Sequence, residues 1–263
     1  MTSSPPTLRL EKFRQIARLT IDNEARRNAM TLEMWEQLAD LVVEAGDDPE
    51  TRLIVLTGAG DRAFCAGADI SQFAEKRQAD GAAAYDIAVA RAQSTLFAAA
   101  KPTIAIIHGA CHGGGVGLAL CCDLRLATSD AHFRIPAARL GLGYAFSNVE
   151  LVVQRLGVSG AADLLFSSRK INAAEALRLG IVTNLFDDVD AKGSISEYVQ
   201  MIAENAPLTL LAVKGALLEL AKPEAERNRD RVDSLVAACI ESRDYAEGQA
   251  AFREKRQPQF SGI

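Results

Sequence analysis

Two continuous apolar segments, each running into glycine, constrain the fold of this chain most. "RLIVLTGAG" occupies residues 52–60 and "PTIAIIHGA" occupies residues 102–110, with a stretch rich in helix formers between them. Strands buried on both faces give unbroken apolar runs of this kind, whereas half-exposed strands alternate. Because a strand, helix, strand succession joins parallel strands, the pattern predicts an α/β fold with parallel pairing.

The flanking regions predict how the chain is organised. Residues 7–22 alternate as two half-buried strands of a hairpin would, and Thr31 and Asn172 are suited to cap the helices that follow them. From about Ser194 the pattern is helical only. We therefore predict an α/β core over residues 1–193, with 1–6 as a loose tail, and a helical region over 194–263.

Composition excludes several functional classes. The 263 residues are 49% hydrophobic and 24% charged, and the net charge of −5 argues against a nucleic-acid partner. There is no leader-like start and no apolar run long enough to span a membrane, so a cytoplasmic protein without a membrane partner is expected. The five cysteines have no paired spacing and predict reduced core residues, and the histidines have no companions at metal-ligand spacing.

One glycine-rich turn superficially matches a dinucleotide-binding pattern. Residues 58–63, "GAGDRA", follow the first apolar strand with Gly-x-Gly-x-x-Ala spacing. In a dinucleotide site the helix begins within the glycine turn and its N-terminus holds the pyrophosphate. Here "DRAFCAGADI" predicts a continued loop, so an ordinary polar turn is favoured over a nucleotide site.

Two other loops, "FCAGADI" (64–70) and "HGGGVG" (112–117), predict a different chemistry. Each presents small residues at the end of a strand, where backbone N–H groups can point outward. Donors fixed where negative charge develops make an oxyanion hole, and small residues let an oxygen approach the amide without a clash. The alternative for the second loop alone is that its glycines only permit close helix packing.

Six sequence blocks are distributed over nearly the whole chain: "NEARRNAMT", "FCAGADI", "KPTIAIIHGACHGGGVGLALCCDLRLA", "FRIPAARLGLG", "INAAEALRLGIV" and "EGQAAFREKRQPQF". In this order and at this spacing they resemble the enoyl-CoA hydratase/isomerase, or crotonase, superfamily. The resemblance implies a spiral of repeated β-β-α units, a C-terminal helical trimerisation region, and a homotrimer or homohexamer.

The resemblance also implies which residues form the site. The amides of Ala68 and Gly114 correspond to the family's oxyanion hole for a thioester enolate. Coenzyme A would enter as part of the thioester substrate, with no permanently bound cofactor. The residues implied to contact its adenine, pantetheine or phosphates are Ala66, Asp69, Ile70, Arg26 (or Arg27), Phe252 and Lys255. For the long charged side chains a solvated surface is the alternative.

The chain departs from the family at the positions that carry the hydratase carboxylates. By the resemblance, one glutamate would stand at Gly117 and the second at Ala137. A third carboxylate position, used by other members, falls at Ala145. Since hydration needs one group to activate water and another to protonate carbon, the usual acid and base are absent from these places.

Tyr144 supports an alternative reaction. It matches in position a tyrosine of the family's methylmalonyl-CoA decarboxylase, whose chemistry needs no general base because loss of CO2 delivers the enolate. That enzyme has histidine where this chain has Ala68. Three hypotheses therefore stand: an acyl-CoA enzyme of hydratase/isomerase type, a malonyl-type decarboxylase using Tyr144, and a catalytically silent acyl-CoA-binding protein. For Tyr144, packing against the acyl chain is the alternative to a catalytic role.

Overall fold

The computed structural model describes residues 5–69, 79–187 and 189–263, with backbone only for 79–83. These residues form two compact units. Unit 1 comprises the described residues up to Ala99 and those from Thr103 to Ile195. Unit 2 comprises Ala100–Pro102 and Ser196–Ile263.

Unit 1 is built on a sheet of six strands in the order β1-β2-β3-β5-β7-β10. The first two strands pair antiparallel, as the alternating sequence predicted, and the others pair in parallel. Burial on both faces explains the continuous apolar runs of β3 and β5. The strands are β1 (Thr7–Phe13), β2 (Ile16–Asp22), β3 (Leu53–Gly58), β5 (Thr103–Ile107), β7 (Leu124–Thr128) and β10 (Asn184–Phe186).

Unit 1 also contains a second sheet of four short strands in the order β4-β6-β8-β9. Each long strand β3, β5 and β7 is followed by a short strand of this sheet before the chain turns back. The repeat is the β-β-α spiral that the resemblance implied, and the predicted fold class is confirmed. The short strands are β4 (Ala63–Cys65), β6 (Ala110–His112), β8 (His132–Arg134) and β9 (Ile171–Asn172).

Two of the unit 1 helices begin at the caps predicted from sequence. The Thr31 hydroxyl accepts from the Met34 N–H at 3.3 Å, and the Asn172 amide oxygen accepts from the Glu175 N–H at 2.9 Å. Helix α4 is interrupted by non-helical backbone at Gly157. The helices are α1 (Leu32–Asp47), α2 (Ala79–Phe97), α3 (Gly114–Cys121), α4 (Phe146–Ser167) and α5 (Ala173–Leu179).

The remaining sequence is helical, as predicted for the region after Ser194. Helices α6 (Ala191–Ala203), α7 (Pro207–Leu220), α8 (Arg229–Glu241) and α9 (Arg243–Glu254) follow one another, with α6 beginning at the end of unit 1. Across the described residues, no single helix is long and apolar enough to cross a membrane. Helices α6 and α7 pass the same test of length and composition only as a pair, and this pair is bent by 95°.

One detail of the predicted loops was wrong. Residues 61–70 were expected to continue as a loop after the glycine turn, but Ala63–Cys65 form strand β4, which pairs with β6. A strand of three residues is too short to show a period, so the apolar letters Ala63, Phe64 and Cys65 gave no signal. All five cysteines are free, and four are buried as predicted.

Candidate active site

A cavity of about 380 Å³ opens in unit 1 where both glycine-containing loops reach the surface. Its size lies within the range of small-molecule sites in proteins. Its wall includes the loop after β4, the start of α3, one face of α2 and the segment around Ala137 and Tyr144. Trp35 of α1 also lines the cavity; it is buried and donates from its indole N–H to the Tyr85 hydroxyl at 2.7 Å.

The two loops meet at Gly67 and Gly114. Gly67 has φ +97°, and a Cβ placed on it would lie 3.1 Å from the Gly114 nitrogen and 2.9 Å from the His112 carbonyl oxygen. A side chain at position 67 is therefore disfavoured both by backbone conformation and by space. The Gly67 N–H donates to the Cys65 sulfur at 3.4 Å, which holds the turn.

The Ala68 amide is aimed by its neighbours. Met30 donates to the Gly67 carbonyl at 2.8 Å, and Asp69 donates to the Met30 carbonyl at 2.9 Å. Because successive N–H groups of extended backbone point to opposite sides, the Ala68 N–H points away from Met30. Ala68 lines the cavity.

Gly114 is the first residue of α3, and its N–H is one of those that a helix leaves without an internal partner. The preceding Gly113 has φ +52° and donates to the Arg134 carbonyl at 2.8 Å, which fixes the start of the helix. Among the described residues, neither the Ala68 N–H nor the Gly114 N–H has a hydrogen-bond acceptor. Two amide donors thus border one cavity, and the α3 dipole favours negative charge beside them.

Helix α2 contributes polar side chains that sequence reasoning missed. Tyr85, Asp86, Val89 and Gln93 line the cavity and lie at helical spacing on one face of α2. Asp86 is the single carboxylate among the described lining residues. The signal was present in "YDIAVARAQ", where Tyr85, Asp86 and Gln93 share one side of an alanine-rich helix, but alanine content alone predicted only the helix.

Gln93 occupies the space beside Gly117. A Cβ placed on Gly117 would lie 2.5 Å from the Gln93 side-chain nitrogen. Gly117 is buried within α3 and does not line the cavity. Ala137 lines the cavity wall and is buried, and Ala145 lines it as well. Because these three residues are glycine and alanine, none of the three positions provides a carboxylate.

Tyr144 lines the cavity and packs against the core of unit 1. Burial raises the pKa of its phenol to about 12, so the group is neutral and can donate a hydrogen bond. His112, next to the glycines, does not line the cavity. Its ring stacks on that of His132 with centroids 5.0 Å apart.

The residues predicted to contact coenzyme A are placed as follows. Ala66 lines the cavity, and Arg26 pairs with the buried Asp69 at 3.1 Å at the edge of the same loop. Ile70 lies outside the described residues. Phe252 and Lys255 belong to unit 2, where both are exposed, and their contact with coenzyme A stays a prediction.

Comparison with known proteins gives consistent results over the length of the chain. The family model described as enoyl-CoA hydratase/isomerase matches residues 11–262. The crotonyl-CoA hydratase of Syntrophomonas wolfei is 31% identical over 251 residues, covering 95% of this chain and 96% of that protein. The carnitinyl-CoA dehydratase of Proteus mirabilis is 33% identical over 241 residues, covering 90% and 92%.

A solved structure extends the likeness to three dimensions. The crystal structure of an enoyl-CoA hydratase/carnithine racemase from Magnetospirillum magneticum superposes with a TM-score of 0.91. It is 32% identical, and the match covers 99% of this chain and 97% of that one.

Proposed function

Because the chain belongs to the enoyl-CoA hydratase/isomerase family, we propose that it acts on an acyl-CoA thioester whose enolate is stabilised by the amides of Ala68 and Gly114. The observation that carries this proposal is the pair of N–H groups, without an acceptor among the described residues, at the wall of one cavity. Such donors stabilise the negative charge that develops during a reaction. Each donor lowers the reaction barrier most when the site excludes water.

A hydratase or isomerase also has to move protons, and the usual glutamate positions are Gly117 and Ala137 in this chain. Asp86 is the carboxylate that the described cavity wall provides instead. In the proposal, Asp86 serves as the acid or base, and the neutral Tyr144 phenol orients the acyl group by donating a hydrogen bond. Hydration or double-bond isomerisation of an enoyl-CoA is the first candidate reaction.

Decarboxylation of a malonyl-type acyl-CoA is the second candidate. The partly buried Tyr144 phenol at the cavity favours it, because a neutral donor can hold the leaving carboxylate while the two amides receive the enolate. Carbon–carbon cleavage releases CO2 and leaves its electron pair on the α-carbon, so no carboxylate base is required. A proton from solvent or from a neighbouring group then completes the product.

The oxyanion role is tested by Gly114→Pro with Gly114→Ala as its matched control. Both variants add carbon next to Trp35, whose ring atom Cζ2 lies 3.2 Å from a Cβ built there, but only proline removes the N–H. Proline is tolerated at the first position of a helix. We expect kcat to fall roughly 10²- to 10³-fold in Gly114→Pro relative to Gly114→Ala. Equal rates in the two variants would sink the assignment.

The two candidate reactions are separated by assays on enoyl-CoA and malonyl-type CoA esters with Asp86→Asn and Tyr144→Phe. Hydratase or isomerase activity should be lost in Asp86→Asn, whereas decarboxylation should survive it and weaken in Tyr144→Phe. If neither class of ester is converted although coenzyme A thioesters bind, the protein is a silent acyl-CoA binder.

A further inference from the structure

A second cavity lies next to the candidate active site within unit 1. It has a volume of about 440 Å³ and is bordered by α2, the end of α3 and the first turns of α4. Phe97, Cys121 and Leu151 supply an apolar wall, and Arg91, Glu150 and Gln154 supply a polar one. Its size, like that of the first cavity, suits part of a small molecule.

Gln93 is the one described residue that lines both cavities. Its amide lies over α3, where a Cβ on Gly117 would be 2.5 Å from the Gln93 nitrogen. The absence of a side chain at Gly117 therefore gives the Gln93 side chain the space it fills. At this point the two cavities are therefore bordered by the same flexible side chain.

We propose that Gln93 limits the length of the acyl chain that the site accepts, and that the second cavity receives the distal methylenes of a longer chain when this side chain is removed. The inference rests on the proposed function, since it takes the occupant of the first cavity to be the acyl group of a coenzyme A thioester. With Gln93 in place, short-chain acyl-CoA esters are the preferred class.

The chemistry of the second cavity fits such an occupant. Methylenes gain affinity by leaving water for an apolar surface, about fourfold for each buried group. Phe97, Cys121 and Leu151 provide that surface beyond Gln93.

The test is the affinity of saturated acyl-CoA esters, which bind without reaction, measured by calorimetry. Butanoyl-, octanoyl- and dodecanoyl-CoA are titrated into the wild type, Gln93→Ala, Gln93→Leu and Val89→Ala. Gln93→Ala opens the partition. Gln93→Leu closes it again with an apolar side chain of similar size. Val89→Ala, one helical turn earlier, enlarges the first cavity without touching the second.

We expect dodecanoyl-CoA to gain at least tenfold in affinity relative to butanoyl-CoA in Gln93→Ala, and the wild-type order to persist in Gln93→Leu and Val89→Ala. An unchanged chain-length profile in Gln93→Ala, or the same shift in Val89→Ala, overturns the role of Gln93 while the proposed function stands. If the wild type binds no acyl-CoA at all, the proposed function fails and this inference fails with it. Circular dichroism of each variant confirms that it is folded.

Discussion

Gly115 marks a close approach of helix α3 to strand β4. A Cβ placed on Gly115 would lie 2.3 Å from the Cys65 carbonyl oxygen and 3.0 Å from the Cys65 Cβ. Because the clash is with backbone, no side-chain rotation can relieve it. We predict that Gly115→Ala lowers the free energy of unfolding by about 1–3 kcal/mol, as overpacking typically does, measured by urea denaturation.

Gly46 is the matched control, since it also lies in a helix but has nothing within 4 Å of an added Cβ. Gly46→Ala should be neutral or stabilise by up to about 1 kcal/mol, because alanine loses less backbone entropy in a helix. A Gly115→Ala protein as stable as Gly46→Ala would contradict the packing described here.

A single residue, His112, also makes the stability of the protein depend on pH. Burial, followed by the charge of His132, lowers its pKa from 6.5 to about 4. Between these values the unfolded chain binds the proton and the folded chain does not, so stability falls as the pH falls from about 6.5 to about 4. We predict that the urea midpoint of His112→Gln depends less steeply on pH across this window than that of the wild type.

The comparison uses slopes, so a uniform loss of stability in the variant does not affect it. Burial also lowers the pKa of His108, which adds a slope of the same sign that both proteins keep. Parallel curves for His112→Gln and the wild type would show that His112 does not contribute.

At the scale of elements, the short helix α5 depends on the residue that caps its N-terminus, Asn172. The Asn172 side chain accepts from the Glu175 N–H at 2.9 Å, and Glu175 in turn pairs with Arg169 at 2.7 Å. Asn172→Ala should lower the free energy of unfolding by about 1 kcal/mol, whereas Asn172→Ser should keep most of it because serine also caps. Thermal unfolding of the two variants checks this, and an equal loss in both would point away from the cap.

Elements with a local signal were predictable from sequence, and elements without one were not. Thr31 and Asn172 cap their helices because a side-chain oxygen at that place satisfies a free N–H, and the apolar runs of β3 and β5 reflect burial on both faces. Strand β4 has too few residues to show a period.

The residues of the candidate site also divide into those that were predicted from the sequence and those that were not. The two loops were predictable because small residues after strands show where amides are exposed, whereas Ala68, Gly114 and Tyr144 were singled out within them only by the resemblance to the family. Asp86 and Gln93 were missed, since their role depends on which face of α2 meets α3. That choice is made by contacts between distant segments, here Gln93 against Gly117.

At the scale of the whole molecule, unit 2 exposes large apolar side chains that a folded chain normally covers. Phe252 is 85% exposed, Leu220 61% and Ile240 60%. Such groups are typical of surfaces that bind other subunits. Because the resemblance to the family implies three or six subunits, we predict a homotrimer or homohexamer, so that light scattering gives three or six times the chain mass of 28.2 kDa. A monomer at micromolar concentration would contradict this.

The contact between Gln93 and Gly117 also bears on how such a site can change over evolutionary time. The two positions share one volume, so a carboxylate introduced at 117 has to displace the amide of 93. Because that amide is the end of a flexible side chain, it can move aside and make room for the carboxylate. The effect of a carboxylate at 117 therefore depends on which residue stands at 93. Substitutions at the two positions are therefore non-additive, and the order in which they occur determines which intermediates keep a working site.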